Sequence, residues 1–287
     1  MNIIVWGCRG TITSPGPSTI RYGGESTCIE VRSDEGEMII IDAGSGIRKL
    51  GQKLMDDKSV LSINLLLTHS HWDHLAGFPL FQPAYFSRYS FALCGGTDAQ
   101  TSVLNYLKHQ MDPPYFPVNF TELKAKFESG CCCNNAICEK SLLYADRSIK
   151  CESIPLNHPN GGFGFKLTSN TGSFIFLTDN EIRYSHQSGM PRDAYVKFCS
   201  NANLLFHDAQ YIETEYKKTR GWGHSTIQDA LDLALDAGVQ RLGLFHHDPD
   251  RTDDEIDHLV DWSRDYIKEK RSSLECFACA EGMNLHV

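Results

Sequence analysis

One short segment limits what this 287-residue chain can fold into and do. Residues 63–67 have the apolar pattern of a buried strand. Four side chains of metal-binding type then follow within six positions: His69, His71, Asp73 and His74. The first two histidines are two residues apart, so on an extended backbone their rings point to the same side and can bind one ion. Because the chain then turns, the aspartate and the last histidine would reach a second ion nearby.

The chemistry of these side chains limits the choice of ion. Imidazole and carboxylate together suit Zn²⁺, Mn²⁺ or Fe²⁺, whereas Ca²⁺ prefers oxygen ligands. A single histidine at this place would be a solvated loop residue, but four ligand-type residues directly after a buried strand favour a metal site. We therefore expect two divalent metal ions, with Zn²⁺ as the first choice and Mn²⁺ or Fe²⁺ as alternatives.

Short apolar runs alternate with turn residues along the chain and predict its strands and helices. The predicted strands are 3–6, 27–32, 38–41, 63–67, 151–155, 162–168, 173–177, 203–207, 239–245 and 274–280. The predicted helices are 45–55, 226–237 and 252–270. Ser225, with Gln228 three residues on, is expected to cap the second of these helices. Two strand-rich halves with helices outside indicate an α+β fold, and specifically a four-layer αββα sandwich.

The length of the chain favours one domain over residues 1–287. The stretch at about 84–150 fits the rhythm of strands poorly, and we expect it to be a lid-like insertion. It contains Cys131, Cys132, Cys133 and Cys138. These are interpreted as free thiols, because consecutive cysteines cannot easily face one tetrahedral ion, with a structural metal as the alternative. Since the chain shows no export signal, all eleven cysteines are expected to be reduced.

The location of the protein is predicted from what the sequence lacks. The N-terminal residues have neither the basic stretch nor the long apolar run of a signal peptide. No segment approaches the roughly 20 apolar residues that span a bilayer. We expect a cytoplasmic protein that does not contact membranes.

The pattern His69-x-His71-x-Asp73-His74 resembles the signature of the metallo-β-lactamase-fold hydrolases, and the resemblance extends over nearly the whole chain. This family implies an αββα sandwich with a two-metal site along its edge. It also implies three further ligands, each placed just after a predicted strand: His158, Asp179 and His246. The first of these would complete one ion's ligands with His69 and His71. The other two would join Asp73 and His74 around the second ion, with His247 as the competing choice for the last position.

Two later segments resemble the phosphodiesterase branch of this family, which includes small cyclic-nucleotide phosphodiesterases and, more distantly, tRNA 3′-processing endonucleases. They are His207-Asp208-Ala209-Gln210 and Gly223-His224-Ser225-Thr226. The resemblance implies that Asp208 orients and helps to charge His224 beside the metals. A phosphodiester has a poor alkoxide leaving group, which a general acid helps by ~10²–10⁴-fold. We therefore expect a phosphoric diester hydrolase in which His224 and Asp208 are catalytic.

Other residues are expected to support the site. Asp42, after the strand at 38–41, resembles a family position that orients the histidine segment. Arg9 is expected either to contact the substrate phosphate or to be a buried structural arginine. Five aromatic residues of the insertion would either stack on a substrate base or form the core of the lid: Tyr85, Phe86, Tyr89, Tyr115 and Phe116.

The charge of the chain bears on its substrate. There are 27 Lys and Arg against 36 Asp and Glu, a formal net charge of −9, and no Gly/Pro-rich basic arm is visible. Both features disfavour a large nucleic acid. We expect a small phosphodiester substrate, most of all a 3′,5′-cyclic nucleotide resembling cyclic AMP. The alternatives are an endoribonuclease of the tRNA 3′-processing type, a lactone or thioester hydrolase on the same fold, and a non-catalytic sensor. The family resemblance also raises the expectation of a homodimer.

Overall fold

The computed structural model describes residues 1–57, 59–95, 103–129 and 148–287, within which strands and helices alternate along the chain. The strands are β1 (Asn2–Gly7), β2 (Cys28–Arg32), β3 (Met38–Ile41), β4 (Ser62–Leu67), β5 (Ser90–Gly95), β6 (Lys126–Ser129), β7 (Lys150–Pro155), β8 (Phe163–Thr168), β9 (Ser173–Leu177), β10 (Leu204–Asp208), β11 (Arg241–Phe245), β12 (Glu275–Ala278) and β13 (Asn284–His286). The helices are α1 (Ile47–Asp56), α2 (Trp72–Leu75), α3 (Val103–His109), α4 (Arg192–Cys199), α5 (Glu213–Thr219), α6 (Ile227–Asp236) and α7 (Asp253–Glu269).

The strands form two sheets. Among the described residues, the first sheet has the order β13-β1-β2-β3-β4-β5-β6 and the second the order β12-β11-β10-β9-β8-β7. In the first sheet, β3 to β6 are mutually parallel, and in the second sheet β9 to β12 are mutually parallel. Parallel strands end on the same side of their sheet, so residues that follow several of these strands are brought to one edge.

Three apolar layers hold the sheets and helices together. The layer between the sheets contains side chains from both of them, such as Ile3, Val31, Phe174 and Phe206. A second layer packs α1 and α3 on the outer face of the first sheet. A third layer packs α4, α6 and α7 on the outer face of the second sheet. Helix, sheet, sheet and helix therefore succeed one another, and the predicted αββα sandwich of the α+β class is confirmed.

The start of α6 differs from its prediction by one residue. Thr226, rather than Ser225, is the N-cap, and its hydroxyl accepts from the backbone N–H of Asp229. The Asp229 carboxylate accepts in return from the N–H of Thr226, which completes a capping box. Ser225 is engaged elsewhere, because its hydroxyl donates to the carbonyl of Asn180 at 2.5 Å. A tertiary contact thus decided between two adjacent capping residues.

The stretch at about 84–150 extends the first sheet at its described ends. In that stretch β5 pairs with β4 and β6 pairs with β5, both in parallel register. Sequence reasoning missed β5 because it falls in the stretch that was interpreted as an insertion, and β6 because it is mostly polar. Residues 96–102 and 130–147 lie outside the described residues, and with them the cluster of Cys131, Cys132, Cys133 and Cys138. That one domain carries a lid in this stretch stays a prediction.

The described cysteines follow the prediction with one exception. Buried reduced thiols among the described residues include Cys8, Cys28, Cys199, Cys276 and Cys279. Burial raises the pKa of the Cys199 thiol to about 12, so this side chain behaves as a small apolar group. Cys94 is disulfide-bonded, so the expectation that every cysteine is reduced is wrong at this position.

No helix within the described residues combines the length and the apolar character needed to cross a lipid bilayer.

Candidate metal centre

The predicted ligands follow strand ends, and three residues there have an unusual backbone. Asp42 after β3, Asp179 after β9 and His246 after β11 have φ values of 63°, 53° and 60°, in the left-handed region. This conformation costs non-glycine residues about 1–3 kcal/mol each and is concentrated at functional sites. The chain tolerates the cost because each residue is fully or almost fully buried and hydrogen-bonded.

All seven predicted ligands come together at one edge of the sandwich, in two groups. The first group is His69, His71 and His158, and the second group is Asp73, His74, Asp179 and His246. Within each group one potential ligand atom from every residue lies within 4.8 Å of the others. The two groups are built from segments that are far apart in sequence, as the family resemblance implied.

Asp179 faces both groups. Its Oδ1 lies 3.7 Å from Nε2 of His69 and 3.8 Å from Nε2 of His158. Its Oδ2 lies 3.2 Å from Nε2 of His74 and 3.3 Å from Nε2 of His246. One carboxylate oxygen is therefore directed at each group, which is the arrangement of a carboxylate that bridges two ions.

The spacing of the donor atoms suits coordination of a divalent metal ion better than hydrogen bonding between the side chains. Among the described residues, Nε2 of His69 and Nε2 of His74 are buried and have no hydrogen-bond partner. The second of these nevertheless lies 3.2 Å from Oδ2 of Asp73. Tetrahedral ligands at ~2.0–2.2 Å from one ion are roughly 3.3–3.6 Å apart, which matches such close but unbonded atoms. The described donors thus fit divalent metal binding, as expected.

Neighbouring groups hold the other nitrogen of three of these rings. His74 Nδ1 is 2.8 Å from Oδ2 of Asp42, the residue predicted to orient this segment. His246 Nδ1 is 2.9 Å from Oε1 of Gln210. His158 Nδ1 is 3.1 Å from the carbonyl oxygen of Gly223. When Nδ1–H donates to an oxygen, Nε2 carries the lone pair that a metal needs, so these partners set the tautomer.

The charges of the two groups differ. Burial lowers the pKa of His69 well below its usual value and that of His158 to about 3, so both rings are neutral and able to bind metal. Burial by itself raises the pKa of Asp179, but the neighbouring His246 and His74 hold it well below its ordinary value. Burial by itself lowers the pKa of His74, but the neighbouring carboxylates raise it well above its ordinary value, so its proton offsets part of the negative charge of the second group. A divalent ion would supply positive charge beside these carboxylates instead.

His224 and Asp208 form the predicted pair beside the ligands. Nδ1 of His224 lies 2.7 Å from Oδ2 of Asp208, which is fully buried at the end of β10. The ring of His224 stacks on that of His246, with centroids 4.8 Å apart. Burial by itself lowers the pKa of His224, but Asp208 above all raises it, to about 9. The pair can therefore hold a proton next to the two ligand groups.

Two cavities open beside the centre. The larger has a volume of about 860 Å³, and His224, Gln210, Lys218 and Trp222 are among its lining residues. The smaller has a volume of about 680 Å³, and His158 is among its lining residues. Ligand-binding cavities commonly have ~300–1,000 Å³, so either can take a nucleotide-sized group.

Comparison with known proteins agrees with this geometry. A family model described as a beta-lactamase superfamily domain matches residues 37–247, which is more than half of the chain. The chain belongs to the beta-lactamase superfamily. The resemblance stated from the sequence is confirmed, and so is the expectation of a metal-dependent hydrolase.

Members of the beta-lactamase superfamily with known names are similar over the full length. Ribonuclease Z of Haloarcula marismortui is 24% identical over 306 aligned positions, covering 92% of this chain and 91% of that protein. The crystal structure of the short form of human tRNase Z has a TM-score of 0.64 at 17% identity, covering 100% of this chain and 99% of that one. Unliganded yeast PDE1 has a TM-score of 0.67 at 14% identity, with coverage of 100% and 99%. The name Ribonuclease Z favours the alternative of an RNA substrate over the expectation of a cyclic nucleotide.

Two further expectations about this superfamily member can be compared with the structure. Arg9 does not line either cavity: its buried guanidinium donates to the carbonyl oxygens of Gly23, Asp248 and Arg251. The structural interpretation of Arg9 therefore holds, and the phosphate-contact interpretation is wrong. His247 Nε2 lies 2.9 Å from the carbonyl oxygen of Cys279, so its ring is held away from the ligand groups.

The aromatic residues predicted to stack on a base lie elsewhere. Tyr89 is fully buried and donates to the carbonyl oxygen of Leu54, so it belongs to the core. Tyr85 and Phe116 line a separate cavity of about 310 Å³. The two cavities beside the metal centre are lined by none of the five. A stacking role for Tyr89 is therefore wrong, and for the other four it stays a prediction. Trp222, which is 62% exposed, lines the larger cavity.

Sequence reasoning assigned no role to two residues that contact the ligands. Gln210 binds His246 through its side-chain oxygen, and the N–H of Thr11 donates to Oδ2 of Asp73 at 2.9 Å. Gln210 stands in the segment at 207–210, two residues after Asp208, and this position just beyond a strand could have marked it as a residue of the site. Thr11 offered none, because it binds through its backbone.

Proposed function

We propose that this chain is a metal-dependent endoribonuclease of the tRNA 3′-processing type. The observation that carries the proposal is the His224–Asp208 pair beside two ligand groups that share Asp179. The name of the Haloarcula marismortui relative, Ribonuclease Z, supports RNA as the substrate. The cyclic-nucleotide reading of the sequence becomes the second candidate.

The seven ligands would hold two divalent ions, with Zn²⁺ as the first choice. When bound, such a pair lowers the pKa of a water molecule and neutralises charge on a phosphate. The residues around it fix the orientation and the tautomer of the ligands: Asp42 holds the ring of His74, and Gln210 holds the ring of His246. The arrangement thereby supplies a site in which one phosphodiester can be bound and attacked by water.

His224 would supply the proton that the leaving oxygen needs. Its Nδ1 is occupied by Asp208, which leaves Nε2 to carry a proton at the wall of the larger cavity. A ribose oxygen is a poor leaving group, and a proton donor of this kind contributes ~10²–10⁴-fold. Lactones and thioesters need less help from a proton donor, so the pair favours phosphodiester cleavage.

The larger cavity would bind the part of the substrate that leaves. Trp222 lies two residues before His224, and its exposed indole is a stacking surface for a base. Lys218 lines the same cavity and is exposed, so its ammonium group can contact a neighbouring phosphate. These two side chains suit a nucleotide of RNA next to the cleaved bond.

The second candidate is the hydrolysis of a small phosphodiester such as a 3′,5′-cyclic nucleotide. It is favoured by the formal net charge of −9 and by Glu215, Asp248 and Asp250, which line the larger cavity. Acidic groups at the opening repel a long polyanion more than a single phosphate.

One experiment separates the candidates. The metal-loaded protein is given a tRNA precursor with a 3′ extension, a short unstructured RNA, cyclic AMP, cyclic GMP, a lactone and a thioester. Cleavage of the precursor at one position, with kcat/KM at least tenfold above that for cyclic nucleotides, supports the endoribonuclease. Faster hydrolysis of a cyclic nucleotide would instead establish the second candidate, and lactone or thioester turnover alone would contradict both. Metal analysis and native mass spectrometry of the same sample check the ion and the predicted homodimer.

A further inference from the structure

Glu181 is a buried carboxylate to which the proposed reaction assigns no role. It follows Asp179 by two residues and is fully buried. Its oxygens accept from the N–H of Gly221 at 2.8 Å, the N–H of Gly223 at 2.8 Å and the hydroxyl of Tyr216 at 2.8 Å. In the part of the chain that the structure describes, no Lys or Arg forms an ion pair with it. His186 Nε2 also lies 3.2 Å from Oε2, so the carboxylate is held by two backbone N–H groups of the loop before His224 together with two side chains.

That loop contacts the metal ligands on its other side. The carbonyl oxygen of Gly223 lies 3.1 Å from Nδ1 of His158. Gly223 has a φ of 96°, and a Cβ at this position would lie 1.9 Å from the same nitrogen. The residue thus joins Glu181 through its N–H to His158 through its carbonyl, and His224 is the next residue in the chain.

The backbone of Glu181 is fixed to both of these segments. Its N–H donates to the carbonyl oxygen of Asn157, the residue before His158, at 2.9 Å. The hydroxyl of Ser225, the residue after His224, accepts from the N–H of Ile182 at 3.0 Å. The backbone at Glu181 is therefore anchored next to His158 on one side and next to His224 on the other.

We propose that Glu181 is a positioning residue that sets the place of both His158 and His224. The part that concerns His224 rests on the proposed function. Without the carboxylate, the N–H groups of Gly221 and Gly223 would be left without a partner, and the loop would move. A displacement of ~1 Å at a reacting group costs on the order of 100-fold in rate. The same movement would withdraw the carbonyl that fixes the tautomer of His158.

The test compares Glu181→Gln with Glu213→Gln as a matched control. The amide keeps the shape but has one acceptor oxygen instead of two, so an NH₂ group replaces one of the two oxygens that accept from the loop. Glu213 is an exposed carboxylate at the start of α5, outside the loop, and it forms an ion pair with Arg183. Metal affinity is measured by competition with a chelator. Turnover is measured with two diesters of one nucleotide, one with a p-nitrophenolate leaving group, which needs no proton, and one with a ribose leaving group.

We expect Glu181→Gln to weaken metal binding by ~10–100-fold, the range for groups that orient a ligand. We also expect turnover of the ribose diester to fall at least ~10-fold more than that of the p-nitrophenyl diester, because only the former needs the proton of His224. The control should leave both quantities within twofold. In Glu181→Gln combined with His224→Ala, the dependence on the leaving group should not exceed that of His224→Ala alone.

The proposal is overturned if Glu181→Gln slows both diesters equally and leaves metal affinity unchanged, since that is a general structural effect. Thermal unfolding checks that the variant folds. If it does not, Glu181→Asp keeps the charge at shorter reach and should give a smaller change of the same kind. Failure of the proposed function gives a different result. In that case His224→Ala would slow both diesters equally. A loss of metal affinity in Glu181→Gln would still show that Glu181 positions His158 through this loop.

Discussion

The two ligand groups of the metal centre share Asp179 but differ in charge and in access to solvent. The first group adds three imidazoles, one of which, His71, is only half-buried. The second group adds a carboxylate, Asp73, and two fully buried imidazoles. A divalent ion at the second group would be enclosed by the protein, whereas the first group has one ligand, His71, that reaches solvent. We therefore expect the second group to hold an ion more tightly and substrate or water to approach from the first group.

The largest effect is expected where the two groups meet. Asp179→Ala removes the carboxylate that faces both, so it should abolish binding of both ions under dialysis and lower hydrolysis by more than the ~100-fold typical of outer partners. Metal content by mass spectrometry and turnover of the RNA substrate measure these outcomes. Asp261→Ala, at an exposed carboxylate of α7 away from the cavity, is the control. Retention of two ions per chain would show that Asp179 does not join the groups.

His224→Ala should separate proton donation from both groups. The ring contacts ligands but is not placed in either group of the two-ion centre, so two ions should remain bound. Turnover of a ribose-leaving diester should fall by ~10²–10⁴-fold. His258→Ala, at an exposed histidine of α7, should change neither quantity. Turnover equal to that of the unaltered protein would remove the proton-donor role.

Asp42→Asn should weaken the second group alone. Asp42 binds Nδ1 of His74 and also accepts from the N–H of Thr68 at 2.7 Å. Affinity for the ion at the second group should fall by ~10–100-fold, while the ion at the first group stays bound. Calorimetric titration of the metal-free protein resolves the two binding events, with Asp57→Asn as the control. An equal loss at both groups would mean that the groups are not independent of each other.

The smallest effect is expected outside both groups. Trp222→Ala should leave both ions bound and raise KM for RNA by ~10-fold, within the range for stacking of one base on an aromatic ring. Trp262→Ala, at an exposed residue of α7, serves as the matched control. Steady-state kinetics on RNA measure the change. An unaltered KM in Trp222→Ala would remove the base-stacking surface from the larger cavity.

Much of the fold was predictable because its signals are local. The apolar runs of β3 and β9 were predicted with their observed ends, since turn residues bound them on both sides. β6 and α4 were missed because their sequences are mixed in polarity, and β5 was missed because it lies in the stretch that was interpreted as an insertion. His158 and Asp179 were predicted from the family resemblance, which places them after strands.

The sequence by itself determined most of the strands and the ligand types that follow β4, because spacing and residue chemistry are written along the chain, and the family resemblance implied the pairing of His224 with Asp208. Only the tertiary structure decided that Asp179 faces both groups, that Arg9 is buried among carbonyl oxygens and that Glu181 holds the loop before His224. These depend on contacts between segments far apart in sequence. The backbone N–H and C=O groups that make many of them are the same in every residue, so no pattern of side chains announces them.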